Sequence, residues 1–498
     1  SSGLRNLGFG AVVAAGFNFF TTGLKVLGDS VNIWVTGFGT IFRFSTSFSF
    51  ALLAAGYLMG VAGGIAVLVG VIFSWGLAVP YLVSTVPVDA GQSLADSAIQ
   101  IWNSRVRFLG AGVIAIAAIY TVASLIRPIV KSIQQQGKNS DRLRITNQDL
   151  SNQWLLVLGF ISIAVLFFVV ADFLDQQAPM LNAYLKYGLS LVTVVLAVVF
   201  GFLVAAACGY MAGLVGSSSS PISGIGIIAT ILMGLVLLAA HSIFSTLNSS
   251  MSAQLLSGLL LFLVSAILAM ASVSNDNLQD LKTGYLVGAS PKKQQIALII
   301  GCIVGAAVIA PVLNLLYQAY GFVGAVPRPD MNPEQILAAP QAALMQQIGG
   351  GIFSGNLDYT MLFVGVGVGI ISIAIDRTLR SQGLGALPPL AVGLGIYLPP
   401  AVNTMLGFGA VLGFVIKKIL SRQKQKQAAR EERGLLMASG FIVGESLIGL
   451  LMAGLIIGSG NALPLALNLG LGEGTMLLLG GLVFCLVVMF FFYQIVHD

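Results

Sequence analysis

Charge is what this chain lacks. Only 8% of its 498 residues are Asp, Glu, Lys or Arg, 57% are apolar, and the mean hydropathy is +0.95. Soluble domains carry about a quarter charged residues, so a water-facing surface cannot be built and most of the chain must face lipid or other helices. Histidine is scarce too, at two residues. With no zinc motif, no nucleophile elbow and no glycine-rich phosphate loop joined to a soluble domain, an enzyme is not expected. No nucleotide-binding domain is attached, so uphill transport would draw on an ion gradient. The cysteines, Cys208, Cys302 and Cys485, sit singly in apolar runs; neither a metal site, a cofactor nor a disulfide framework is expected. The net charge of +6 does not point to nucleic acid, because the positive residues gather in a few connections.

Long apolar runs and glycine are abundant. No charged residue occurs from Phe44 to Val88, from Tyr187 to Asn275 or from Ser381 to Ile416. A spanning helix needs about 20 apolar residues, so the middle run alone can hold several. The 60 glycines fit membrane helices, whose backbones approach closely where side chains are small. The expected fold is an all-α polytopic integral membrane protein, a single transmembrane domain over 1–498 whose partners are the lipid bilayer and a substrate. About 11–13 transmembrane helices are expected, with re-entrant or broken half-helices and an internal repeat. A homo-oligomer is carried as an alternative. Spans are read at 7–27, 64–84, 106–126, 153–171, 187–207, 223–242, 254–272, 294–317, 358–375, 435–457 and 474–495. The chain opens Ser1-Ser2, with no cleavable signal pattern, and earlier native sequence is expected to precede it.

Orientation follows from Lys and Arg. They concentrate at 127–144, 282–293, 377–380 and 417–433, which the positive-inside rule makes cytoplasmic. The stretch 128–150 and the basic stretch 417–433 are therefore read as cytoplasmic loops. Parity agrees, since an even number of expected spans separates each pair of basic connections. One stretch resists. The 36 residues between Arg380 and Lys417 must begin and end inside, yet are too short for two spans and are interrupted by Pro388, Pro389, Pro399 and Pro400. A broken or re-entrant hairpin is expected, Pro388–Leu398 entering and Ala401–Ile416 leaving. Segments 44–63 and 208–222 are read as similar short pieces. Irregular backbone at membrane depth is tolerated where it is buried in protein or lines a wet cavity. Paired interrupted segments are the best pointer to a transporter's substrate site. Tyr57-Leu58 and Tyr397-Leu398 hold like places in two of these pieces, and Tyr57, Tyr397 and Asn403 are candidate substrate contacts.

Three polar features interrupt the apolar pattern. Asn275, Asp276, Asn277, Gln279, Asp280 and Lys282 crowd one stretch after span 254–272. Asp276 and Asp280 share a helical face with Thr283 and are candidates for gating with Asn275, Gln279 and Lys282, against the plainer reading of a solvated loop. Ser217, Ser218, Ser219, Ser220 and Pro221 lie uncharged between apolar runs, as a cavity lining or as a linker. Glu445 lies about ten residues inside span 435–457, where a carboxylate is expensive and marks a functional site by default. It suits proton uptake and release; a structural hydrogen bond to a neighbouring helix is the competing role. Asp172, Asp358 and Asp376, at span ends, are read as interface anchors and His241 as structural.

The stretch SNDNLQDLKTGYLVGASPKKQQIALIIG, from Ser274, resembles the oligopeptide transporter (OPT) superfamily and its bacterial members in particular. GYMAGLVGSSSSPISGI (209–225), LLAAGYLMG (52–60) and GIYLPP (395–400) fit the same family in the same order. This superfamily also holds the yellow-stripe-like metal–chelate transporters. The resemblance implies a proton-coupled secondary transporter of about sixteen spans in two related halves, so the first few spans are expected to be absent here. It implies import of small peptides or peptide-like compounds across a bacterial inner membrane, with uptake of metal–chelator complexes as the alternative. A passive channel is the alternative of another class. No substrate ligand carries over from the family.

Overall fold

The computed structural model describes residues 2–85, 93–136, 149–215, 222–244, 252–322, 325, 327–328, 331, 336–337, 339–355, 358–422, 427–467 and 469–496. The chain divides into two compact units, one of Ser1–Ile114, Pro311–Ala338 and Asp358–Asp498 and the other of Ala115–Ala310 and Ala339–Leu357.

The first unit opens with α1 (Ser2–Asn18), which passes into a π-helical turn at Phe19–Gly23. A β-hairpin follows, β1 (Ser30–Gly37) antiparallel to β2 (Thr40–Ser47). Its two-residue turn has positive φ at both central residues, Phe38 (54°) and Gly39 (73°), the mirror-image turn whose twist suits paired strands. This is a departure from an all-helical reading. The flanking SVNIWVT and TIFRFSTS alternate β-branched and aromatic side chains with polar ones, which is strand rather than helix chemistry. Residues 44–47 thus end a strand, and the short piece proper is α2 (Phe50–Met59). Gly60 then separates α2 from α3 (Val61–Thr85), which holds a π-helical turn at Ser74–Ala78. Helix α4 (94–136) contains another at Trp102–Val106 and passes into the second unit at Ile114.

The second unit is built on α5 (Asn152–Gln177), α6 (Ala183–Val215), α7 (Ile222–Phe244) and α8 (Ala253–Val287). Helix α9 (Pro291–Tyr320) leads back to the first unit at Pro311, and α10 (Pro340–Ser354) belongs to the second. Leu174, Val194, Met233, Leu260, Leu263 and Ile267 form its core. In lipid such contacts gain little from leaving solvent, so close fit carries the association. Helix α6 runs unbroken through Cys208–Val215, so this part of 208–222 is the end of a long helix and not a separate half-helix. Ser217, Ser218, Ser219, Ser220 and Pro221 lie outside the described residues. Of the 128–150 stretch, residues up to Gln136 continue α4.

The rest of the first unit comprises α11 (Tyr359–Ser381), α12 (Pro389–Tyr397), α13 (Pro400–Leu420), α14 (Gln427–Ser459) and α15 (Glu473–Val496). Lys417, Lys418, Arg430 and Arg433 are therefore helical rather than in a loop. Arg430 Nη1 and Arg433 Nη1 donate to the carbonyls of Val496 and Gln494 at 2.7 and 3.0 Å, satisfying the open end of α15. Eleven helices are long and apolar enough to cross a membrane among the described residues. They coincide with the expected spans except that 7–27 is not among them and Pro400–Leu420 is. The exit arm expected over Ala401–Ile416 is thus a full span.

Candidate functional site

Two short helices share one unit, and each leads through a break into a long helix. Helix α2 has ten residues and α12 nine, about 15 and 14 Å at 1.5 Å per residue, each near half of the roughly 30 Å hydrocarbon core. The first break is made by Gly60, at φ 86° and ψ 167°, a conformation open only to glycine at low cost. The second is Leu398-Pro399, with Pro400 opening α13. Proline there has no N–H to leave unsatisfied and cannot extend α12.

Glycines lock the two broken elements together. A Cβ at Gly56 would lie 1.9 Å from the Leu406 carbonyl oxygen, and one at Gly409 1.9 Å from that of Leu53. Helix α3 meets α12 in the same reciprocal way, Gly70 on Val392 O and Gly395 on Val67 O, each at 2.2 Å. No side chain larger than hydrogen fits at any of the four. The glycines that make the sequence look flexible are here what lets four helical pieces pack backbone to backbone.

Asn403, fully buried one turn into α13, explains how the second break is held. Its side-chain Nδ2 group is shared among the carbonyls of Leu394, Gly395 and Leu398 at 3.0–3.3 Å. Gly395 and Leu398 carry carbonyls that the helix end leaves open, while Leu394 O also accepts from Leu398 N. Its Oδ1 is buried and accepts no hydrogen bond, so an acceptor remains beside the break. Tyr397, the last residue of α12, is also buried; Arg107 Nη2 donates to its hydroxyl at 2.7 Å, and Trp102 Nε1 donates to Ile396 O at 3.2 Å. Tyr397 and Asn403 are therefore brought together. Tyr57 is not with them. It lies near the end of α2 among Gly413, Gly434 and Phe491, its ring edge-on to Phe491 at 5.7 Å. The like sequence positions of the two tyrosines do not make like surroundings.

Glu445, on α14, reaches the opposite end of α2. Its Oε1 accepts from Ser49 Oγ at 2.6 Å and its Oε2 from Ala51 N at 2.9 Å. Ser49 itself caps the helix, accepting from Leu52 N at 3.1 Å. A carboxylate thus sits on the free amides of a half-helix, where the helix dipole favours negative charge. Asp376, buried on α11, does the corresponding work for α12: Oδ1 accepts from Leu387 N and Oδ2 from Arg380 Nε, both at 2.8 Å. That is a tie for the loop into the short helix rather than an interface anchor. Asp358 caps α11 through Met361 N.

The polar stretch of the second unit continues α8 to Val287 as helix. Asn275 is buried with its Oδ1 unpartnered. Asp276, Gln279, Asp280 and Lys282 are exposed, and the two carboxylates accept no hydrogen bond among the described residues. Among the described residues no group of three or more His, Cys, Asp or Glu is placed to hold a metal ion.

Sequence reasoning missed Arg43, Arg107 and the tryptophans around them. Their signals were present, in the hairpin pattern around Gly37-Phe38-Gly39 and in two arginines close to apolar runs with no acidic neighbour in sequence.

Comparisons with known proteins give the family of the chain. A family model described as OPT oligopeptide transporter protein matches residues 4–456. A protein of Haemophilus influenzae named putative oligopeptide transporter is 45% identical over 485 residues, covering 94% of this chain and 76% of that protein. Plant proteins of rice named probable metal-nicotianamine transporters YSL10 and YSL6 are 26% and 22% identical, covering 35% and 76% of this chain and 25% and 54% of their own lengths. With the match running over nearly the whole length, this multi-pass membrane chain belongs to the OPT oligopeptide transporter family.

Proposed function

We propose that this protein imports small peptides or peptide-like compounds across a bacterial inner membrane by proton coupling, with the substrate path at the paired breaks of α2–α3 and α12–α13. The observation that carries this reading is the pair itself. Two interrupted helices locked by reciprocal glycines leave open amides at the start of α3 and an unpartnered Asn403 Oδ1 beside the other break. Irregular backbone at membrane depth is buried in protein or lines a wet cavity, and paired breaks of this kind are the best pointer to a substrate site. Glu445 is the proposed coupling group, because it is an ionisable carboxylate at the head of α2, where its hydrogen bonds and the helix dipole favour the charged form.

Purified protein in liposomes tests this with labelled di- and tripeptides, with and without an inward proton gradient. Accumulation several-fold above the equilibrium level is expected only with the gradient. Equal uptake in both conditions would make the protein a passive channel. The second reading, uptake of a metal held by an organic chelator, is favoured by the names of the plant relatives; ferric chelates belong in the same panel.

In the second unit, gating is proposed for Asn275 rather than for the exposed carboxylates. A buried amide oxygen without a partner is out of place in a resting structure and is free to take one in another state. Asn275→Ala is expected to slow uptake several-fold at unchanged membrane yield, with Asp276→Asn and Asp280→Asn near the parent rate. The reverse ranking would return the role to the carboxylate face.

A further inference from the structure

Three of the four tryptophans and two arginines of the first unit form one ladder. The guanidinium of Arg43 lies against both Trp34 and Trp75, 4.9 and 5.2 Å from their ring centroids, and the two rings meet edge to face at 6.1 Å. That of Arg107 lies between Trp102 and Tyr397, at 5.4 and 4.4 Å. The two pairs join where Trp75 meets Trp102, centroid to centroid at 5.8 Å. Arg43 stands opposite Trp34 in the hairpin register, and the other end of the ladder is the last residue of α12, at the second break.

Aromatic rings hold a guanidinium by its faces and leave its edge. The edge carries the N–H fork that matches a carboxylate. Arg43 uses Nη2 on Asn32 Oδ1 at 2.8 Å and Arg107 uses Nη2 on the Tyr397 hydroxyl. The Nε of each is buried and donates to nothing. Neither arginine is in an ion pair; the four pairs among the described residues are formed by other groups. Two further buried groups of the same region are unpartnered, Trp75 Nε1, on a residue 3% exposed, and Ser74 Oγ, on one 0% exposed. Both tryptophans at the centre sit on π-helical turns, Ser74–Ala78 and Trp102–Val106, a distortion frequent at functional sites. Two positive charges and four unanswered donors in an aromatic setting call for an anion.

We propose that Arg43 and Arg107 recognise carboxylate groups of the transported substrate, so that the protein selects organic acids: peptides with a free carboxy terminus or acidic side chains, or polycarboxylate chelators. This rests on the substrate path proposed above and names the chemistry it accepts.

The ladder supplies its own readout, because three of the four tryptophans lie in it, the fourth being the exposed Trp154 on α5. Tryptophan fluorescence of the purified full chain is titrated with trialanine, trialanine amide, triglutamate and nitrilotriacetate. The free acids of whichever source is used, peptide or chelator, are expected to bind at least about tenfold more tightly than the amide, the worth of one charged hydrogen-bond pair. Arg107→Gln and Arg43→Gln are each expected to erase that preference. Arg107→Lys keeps the charge without the fork and is expected to retain only part of it; it carries the test should the glutamine variants not fold. Equal affinity for acid and amide in the parent, or an undiminished preference in all three variants, overturns the site. Acid-selective binding that responds to these variants, without uptake into liposomes, overturns the transport reading and leaves the site standing.

Discussion

Glu445→Gln is expected to abolish gradient-driven accumulation while leaving exchange of preloaded substrate partly intact. The substitution is nearly isosteric, and Gln Oε1 can still accept from Ala51 N while Ser49 Oγ turns to accept from the new amide. What disappears is the charge at the head of α2 and the ability to exchange it for a proton. The dipole contribution of one anion at a helix start is about 0.3–2 kcal/mol, too little to unfold a protein of this size. A purely structural Glu445 would therefore lose a little stability and keep accumulation, which is the result that would remove it from coupling. Glu445→Ala strips both acceptors and is expected to lower the melting temperature as well, so the comparison of the two separates charge from scaffold. Uphill uptake and counterflow in liposomes, with melting in detergent, supply the readings.

Gly409→Ala is expected to be among the most damaging single methyl groups that can be added to the described residues. The added Cβ would fall 1.9 Å from Leu53 O and 3.0 Å from Tyr57 N, against backbone that cannot swing aside as a flexible side chain does. Overpacking commonly costs about 1–3 kcal/mol, and a backbone obstacle belongs at or beyond the upper end. Loss of monodisperse protein, or a melting point lowered by many degrees, is the expected outcome. Gly56→Ala should behave alike, since it faces Leu406 O at the same distance. Gly367→Ala, on α11 with nothing within 4 Å, is the control and should melt with the parent. A Gly409→Ala protein that also melts with the parent would mean that α2 and α13 do not approach as described.

The positions of the spans were legible because apolar length is a strong, additive signal. It fails only where the run is less apolar, as at α1, or where prolines mask a helix, as at Pro400–Leu420. The break between α12 and α13 was legible from four prolines in a charge-free run. The hairpin was not, because its aromatic and β-branched residues raise hydropathy as much as a helix would, and only their alternation distinguishes them. Glu445 stood out as an isolated carboxylate, yet its partners lie nearly four hundred positions away at Ser49 and Ala51, a pairing no local pattern contains. Arg43 and Arg107 were invisible for the opposite reason: a lone arginine near a span end is unremarkable until the rings around it are placed. For Asp276 and Asp280 the local pattern carried only the shared face, since i,i+4 spacing does not say which way that face turns.

The π-helical turns carry a consequence for how such a protein can change over time. Each is one residue more than an α-helix needs, a surplus amino acid stored inside an otherwise regular helix. Deleting Gly76 from the turn at Ser74–Ala78, or Asn103 from that at Trp102–Val106, would let the helix close into ordinary α geometry. The flanking helix would keep its facing, and only the residues of the turn itself would shift their side chains. The chain would keep its hydropathy and its span, while the tryptophan beside the deletion left its arginine. Length variation at these two points is thus a route by which relatives can keep the membrane architecture and exchange one chemical preference for another.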